Sequence, residues 1–410
     1  MSVDKSAKWF TAIPLVYRSD EPGFWTREAG LLCLGFRELG LDSRFVTLGE
    51  SRVHEERPVI SAPLDNLLDS AWWKQWGITG VVLYSWAAPR FEPIARAIKA
   101  SGAKLVLRLD SDGLNSPLVW WSRYLNLTYW ALKDEGKPLP ALRAFAKTIL
   151  SQYFPGVYHR PWQQHLSHAD LLVIESTIAK QRYRRLLTDT GRPDLAERLR
   201  VIPPQIWNDY TFDPKIPKEP IIVAVGRWAT AQKDAPMLLQ VLGRVLAMEP
   251  GYTAIVAGSG ESLLQQWLPR LPPAAQPRIR IAGKLPAAEL RSLYQRARIV
   301  FFSSRYEGFP NVACEALCCG CSVVGPAMIA SMNDCVAHGS GTLACHHSVG
   351  AFSDALSAEI DAWAEGARDP QAISRRWWPR VTAPEVAGQI LNLIGQSDAP
   401  TGAAREMARA

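Results

Sequence analysis

The stretch RIVFFSSRYEGFPNVACEALCCGCSVVG, Arg298 to Gly325, runs through a strand, a loop, a helix and a second strand in immediate succession. RIVFFSS is a short apolar run, rich in β-branched and aromatic side chains and closed by serines, which reads as a strand buried on both faces. A loop with Glu307, Gly308, Phe309 and Pro310 follows, a helix begins near Asn311, and CSVVG forms the next strand. Working outward, the same kind of run recurs as IIVAVG (Ile221 to Gly226), YTAIVAG (Tyr252 to Gly258) and RIRIAG (Arg278 to Gly283), with helical segments between them. Repeated strand, helix, strand order predicts a parallel, doubly wound sheet with right-handed crossovers.

A second series lies upstream. VTLG (Val46 to Gly49), GVVLYSW (Gly80 to Trp86), AKLVLRLD (Ala103 to Asp110), DLLVIES (Asp170 to Ser176) and RVIPP (Arg200 to Pro204) are strands of the same type. TREAGLLCLGFRELG (Thr26 to Gly40) has apolar residues at helical spacing and Gly40 as its C-cap. Between the two series NDYTFDPKIPKEP (Asn208 to Pro220) is rich in proline and charge and lacks periodicity, which marks a boundary. The predicted fold class is therefore α/β, with two Rossmann-like doubly wound domains over residues 1–210 and 211–375 and a terminal helix over 376–396. Such domains face each other across a cleft at the carboxyl ends of their strands, where open α/β sheets bind ligands.

Composition bounds the rest. The chain has 410 residues, 48% of them apolar and 21% charged, with 46 basic against 39 acidic side chains. This is a globular profile, and no run approaches the roughly 18 apolar residues that span a bilayer. The N-terminal segment lacks the apolar core of a signal peptide, so a cytoplasmic location is expected. Seven cysteines do not form a disulfide framework. Four of them, Cys314, Cys318, Cys319 and Cys321, lack the paired spacing of a zinc site and read as small buried hydrophobes, so no metal is expected. Eleven of the 16 tryptophans fall in the first 207 residues. Many aromatics sit in an insertion over 118–162, interleaved with Arg123, Lys133, Lys137, Arg143 and Lys147. It reads either as a helical pair packed on its domain or as a lid contacting the acceptor or the face of a membrane.

The chemistry is concentrated at two loops. In AVGRWATAQKDAP (Ala224 to Pro236), Arg227 follows the first strand of the second domain and Lys233 opens a helix. Two fixed cations at a strand's carboxyl end suit a diphosphate that leaves with its charge. In the opening stretch, a turn entering a helix aims free N–H groups into the cleft, and Gly308 allows close approach of a ligand. Glu315, eight residues after Glu307, is able to accept hydrogen bonds from a vicinal diol such as a ribose.

The order G-R...K, then Gly258-Ser259-Gly260, then IAGKLPAAELRSLYQRARIVFFSSRYEGFPNVACEAL resembles the retaining nucleotide-sugar glycosyltransferases of glycosyltransferase family 4, whose E-x7-E element is here Glu307 to Glu315. The resemblance implies the GT-B fold, with the acceptor on the first domain, the donor on the second, and the terminal helix crossing back to the first. It implies that Arg227 and Lys233 hold the diphosphate and that Glu315 binds the ribose. Glu307 and the backbone of Gly308, Phe309, Pro310 and Asn311 face the donor sugar, and Gly258, Lys284 and Leu285 flank the base. In the first domain Gly23 would lie near the diphosphate. Asp110 or Asp112 would face the acceptor, where the family tends to place a His-Asp pair or an acidic residue; no histidine stands there. The implied activity is transfer of a sugar from a UDP- or GDP-sugar to a hydroxyl of a glycan, a lipid-linked or a small-molecule acceptor. It proceeds with retention and without metal or other cofactor. The expected partners are donor and acceptor, with peripheral contact at the inner membrane's cytoplasmic face left open and no nucleic acid, although Arg182, Arg184 and Arg185 cluster.

Rival readings are distinguishable. A glycosidase would also use paired carboxylates but has no need of the diphosphate-binding Arg227 and Lys233. A catalytically silent GT-B protein that binds a nucleotide sugar or a partner transferase would bind without turnover.

Overall fold

A computed structural model describes residues 6–16, 24–25, 28–54, 57–109, 150 and 153–397. Gly23, Asp110, Asp112 and the 118–149 part of the aromatic insertion lie outside the described residues. The first sheet comprises β1 (Trp9–Ile13), β2 (Phe45–Leu48), β3 (Arg52–Val53), β4 (Val59–Ala62), β5 (Gly80–Tyr84), β6 (Lys104–Arg108), β7 (Leu171–Ile174) and β8 (Leu199–Val201). Their order is β3-β4-β2-β1-β5-β6-β7-β8, and every pairing is parallel except β3 with β4. The second sheet holds β9 (Glu219–Arg227), β10 (Thr253–Ser259), β11 (Ile279–Gly283), β12 (Ala297–Phe301), β13 (Ser322–Pro326) and β14 (Gly341–Ala344). Its order is β11-β10-β9-β12-β13-β14, parallel throughout.

Burial explains why these runs become strands. β5 and β7 are buried at every position, as a parallel strand covered by helices on both faces must be. Gly80 opens β5 because the Trp9 ring lies where its Cβ would stand, 2.6 Å away. That indole in turn stacks on Phe36 at 5.6 Å. The Glu28–Glu38 helix ends as its glycine predicts: Gly40 sits at φ 85°, Leu41 N–H donates to Phe36 O at 3.1 Å, and Gly40 N–H donates to Arg37 O at 2.9 Å. The cysteines belong to cores: Cys314, Cys318, Cys319, Cys321 and Cys335 are all buried, and burial pushes their thiols up.

The chain crosses between the sheets twice. The outgoing strand of linker passes Ile206, and the returning chain passes Thr382 after the Pro370–Val381 helix. The crossings are bonded to one another, Ile206 N–H to Val381 O at 2.7 Å and Ala383 N–H to Ile206 O at 3.1 Å. The Ala383–Ser397 helix then lays Val386, Ala387, Ile390 and Ile394 into the core cluster of β1 and the Glu28–Glu38 helix. A third link is polar: Asp334, on the helix after β13, accepts the Thr177 N–H at 2.7 Å, capping the first turn of the Thr177–Asp189 helix from the other domain. Among the described residues no helix is long and apolar enough to cross a membrane.

Candidate active site

In each sheet the first strand of the series lies centrally and the chain winds to both sides of it, so a crevice opens beside β1 and beside β9. The two crevices face one cavity of about 780 Å³. Its second-domain wall is built mainly from the loop leaving β9 and the loop leaving β12, which are neighbours because β9 pairs with β12, with Gly258 and Ser259 at the end of β10 and Lys284 after β11.

The first of these loops is pinned by a residue that motif reading passes over. Trp228 is buried, its Nε1 donates to Ala257 O at 2.7 Å, and its N–H donates to Ser259 O at 2.7 Å. The ends of β9 and β10 approach so closely that a Cβ at Gly258, whose φ is 115°, would lie 1.9 Å from Gly226 O. Only glycine fits there. Lys233 is followed by Asp234 in the left-handed region, φ 48°. That carboxylate caps the Ala235–Met248 helix at Met237 N–H and pairs with Arg305 at 2.7 Å. Arg305 N–H donates to Gln232 O at 2.8 Å and Ser303 Oγ donates to Lys233 O at 2.7 Å, so the two loops are stitched together. His347 Nε2 lies 3.1 Å from Ser303 O and supports the same loop from behind.

At the centre Lys233 Nζ forms an ion pair with Glu307 Oε1, both side chains being about nine-tenths buried. Ser304 Oγ donates to the same oxygen at 2.6 Å, and Gln232 Nε2 donates to Glu307 Oε2 at 3.2 Å and to Tyr306 O at 2.9 Å. The Gln232 amide oxygen accepts from Arg227 Nη2 at 3.3 Å. Arg227, Gln232, Glu307 and Lys233 are thus one network, with Gln232 joining Arg227 to the carboxylate that pairs with Lys233. Among the described charged side chains lining the cavity, Arg108, Arg227, Lys233 and Lys284 are cationic and Glu175 and Glu307 anionic, an excess of two positive charges among the described residues. A concave site with that excess concentrates anions.

The first-domain wall comes from the ends of β5, β6 and β7 and the segment after β8. Arg108 is buried, its Nη2 donating to Pro203 O at 2.9 Å and lying 3.4 Å from Glu175 Oε1, while its Nη1 has no hydrogen-bond partner among the described residues. Gln205 Nε2 donates to the Tyr84 hydroxyl at 3.1 Å. After β5 the chain turns through Trp86 and Ala87, both left-handed at φ 48° and 52°. A non-glycine residue held in that region costs of order 1–3 kcal/mol, and such positions cluster at functional sites.

Among the residues expected from sequence, the structure gathers Arg227, Lys233, Gly258, Lys284, Glu307, Gly308, Phe309, Pro310 and Asn311 around this cavity. Leu285 packs on the core cluster instead. Glu315 is half-buried on the Asn311–Cys318 helix, outside the lining residues. Burial and then its charge raise the phenols of Tyr210 and Tyr294. The described structure adds Trp86, Arg108, Glu175, Gln205 and Gln232, which no motif announces.

Residues 219–361 match the family model described as Glycosyl transferases group 1. Over 230 residues the chain is 31% identical to the D-inositol 3-phosphate glycosyltransferase of Mycolicibacterium smegmatis, covering 52% of this chain and 49% of that protein. It therefore spans about half the length of this curated relative. The Anabaena HepE protein, solved with UDP and with UDP-glucose, superposes with a TM-score of 0.60 at 16% and 17% identity, over 95% of this chain and 100% and 99% of that one. Sucrose-phosphate synthase from Thermosynechococcus elongatus gives a TM-score of 0.60 at 14% identity, over 95% and 98%. The fold is GT-B: two α/β domains with parallel sheets.

Proposed function

We propose that the protein is a glycosyltransferase that moves a sugar from a nucleotide-sugar donor to an acceptor hydroxyl, with retention of anomeric configuration and without a metal ion. One observation carries the reading: Arg227, Gln232, Lys233 and Glu307 form a single network at the carboxyl ends of β9 and β12, in a cleft whose described side chains carry excess positive charge. A UDP-sugar is the first donor to test, because the HepE structures hold UDP and UDP-glucose.

On this reading the diphosphate lies against Arg227 and Lys233. Lys233 is neutralised by Glu307 in the free protein. Donor binding exchanges partners: the ammonium turns to the phosphate, and Glu307, still held by Ser304 and Gln232, offers an oxygen to the sugar's hydroxyls. The bond from anomeric carbon to phosphate oxygen then breaks with its electron pair on the diphosphate, where the two cations stabilise the growing charge. The acceptor oxygen bonds to that carbon and passes its proton to the departing diphosphate oxygen. Glu315 takes the ribose, and Asp110 or Asp112 orients the acceptor hydroxyl. Retention rests on the Glu307-to-Glu315 resemblance.

Release of free nucleotide from a panel of UDP- and GDP-sugars, with Glu307→Ala as control, tests the activity. Nucleotide binding with no turnover on any acceptor would instead indicate a silent protein. The anomeric proton coupling of the product tests retention, and an inverted linkage refutes it.

A further inference from the structure

Trp86 is the one exposed tryptophan among the described residues, 36% accessible, and it lines the cleft on the first-domain side, across from the loop of Glu307 to Pro310. Its backbone and that of Ala87 are both held in the left-handed region. The surroundings fix this turn firmly. Ser85 is fully buried, its Oγ lies 2.9 Å from His165 Nε2, and its carbonyl accepts the Ala88 N–H at 2.8 Å. Ala87 is buried in the domain core, so Trp86 is the residue of the turn that is turned outward. The ring meets Phe91, 6.4 Å between centroids, and folding alone gains little from a strained turn that leaves 36% of a tryptophan in water. Glu175 and the buried Arg108, whose Nη1 has no hydrogen-bond partner among the described residues, line the same cavity.

An aromatic face that shares a cavity with a carboxylate and a guanidinium matches the two sides of a pyranose, a C–H-rich ring face and a hydroxyl edge. We propose that Trp86 is the platform on which the acceptor's pyranose ring rests, with Glu175 and Arg108 taking its hydroxyls. The platform lies on the first-domain wall, and the donor network lies on the other, so the ring is presented to the anomeric carbon across the cleft. This assignment rests on the donor reading above and names the acceptor class for the same cavity.

Saturation-transfer NMR on the full chain, with UDP present, uses methyl α-glucopyranoside, methyl α-galactopyranoside and methyl α-mannopyranoside as probes. At least one should receive saturation at its ring C–H protons. Trp86→Ala and Trp86→Leu should weaken that glycoside's affinity about tenfold, the worth of one aromatic face, and Trp86→Phe should retain most of it. The thermal shift produced by UDP should be unchanged in all three. A protein that binds UDP but transfers saturation to none of the glycosides overturns the platform, as does an alanine variant indistinguishable from wild type. Loss of the UDP shift in Trp86→Ala and Trp86→Leu, with Trp86→Phe retaining it, assigns the ring to a nucleobase and also overturns it. Trp86-dependent glycoside binding in a protein that takes neither UDP nor GDP leaves the platform standing and removes the donor reading.

Discussion

Replacing Lys233 by alanine leaves the Glu307 carboxylate in a site about nine-tenths buried with only Ser304 Oγ and Gln232 Nε2 as donors. Stranding one partner of a buried ion pair costs about 3–5 kcal/mol. The two remaining donors are each worth roughly 1 kcal/mol. The expected loss is therefore about 2 kcal/mol, a drop of about 4–8 °C in the melting temperature of a domain this size. Adding Glu307→Gln removes the stranded charge while keeping an oxygen for Ser304, so Lys233→Ala/Glu307→Gln should regain most of that loss. Turnover separates the folding role from the chemical one. With no ammonium on the leaving diphosphate, kcat should fall by about 10²–10³ in both the single and the double variant. Acceptor KM should move little, because the charge matters most as the leaving group forms. Melting curves and initial rates of the four proteins complete the cycle. If the double variant loses the full sum of the single losses, the pair is not coupled. If kcat holds while acceptor KM rises, Lys233 does not serve the leaving group.

Other perturbations reach different parts of the fold. His165 is fully buried, and burial, then the neighbouring His168, lowers its pKa from 6.5 to about 4 against a raising effect of Glu92. The unfolded chain takes up this proton first as pH falls, so the neutral ring's contribution is complete above pH 6.5 and is lost progressively down to about pH 4. Urea unfolding should show a slope of at most about 1.4 kcal/mol per pH unit across that window, absent in His165→Phe. Gly258→Ala puts a methyl group 1.9 Å from Gly226 O and should cost about 3 kcal/mol or more, read as a shift in the urea midpoint. Asp334→Ala removes the cap that one domain supplies to the other and should lower stability by about 1 kcal/mol, with faster hydrogen exchange at the Thr177 amide. An unchanged exchange rate at that amide refutes the capping role.

The strands of the second sheet were legible because β9, β10, β12 and β13 are unbroken apolar runs closed by glycine, serine or proline. β14 is GTLA, mostly half-exposed at the sheet edge, and carries too little apolar signal to be read as a strand. β4 is only four residues between Pro58 and Pro63, and the central β1, WFTAI, is five residues without alternation. The donor-side residues could be found from sequence because they lie in two contiguous loops whose strands pair directly. The opposite wall draws Trp86, Arg108, Glu175 and Gln205 from four separate segments. Their proximity depends on the order β5-β6-β7-β8, which no local spacing encodes. Gln232 was hidden for another reason: an amide between a guanidinium and a carboxylate has no motif of its own, and only the bonds it makes reveal it.

The mutual bonding of the two chain crossings, Ile206 to Val381 and Ala383 to Ile206, has a mechanical consequence. Two independent tethers would let the halves slide past one another. Fastened together at one point, they act as a pin, and with the Asp334 to Thr177 link they hold the two leaves at two separate places. Lengthening either crossing by a few residues would unseat the pin and leave both sheets intact, which makes this joint a place where the spacing of the two walls can be changed without altering a single residue in the cleft.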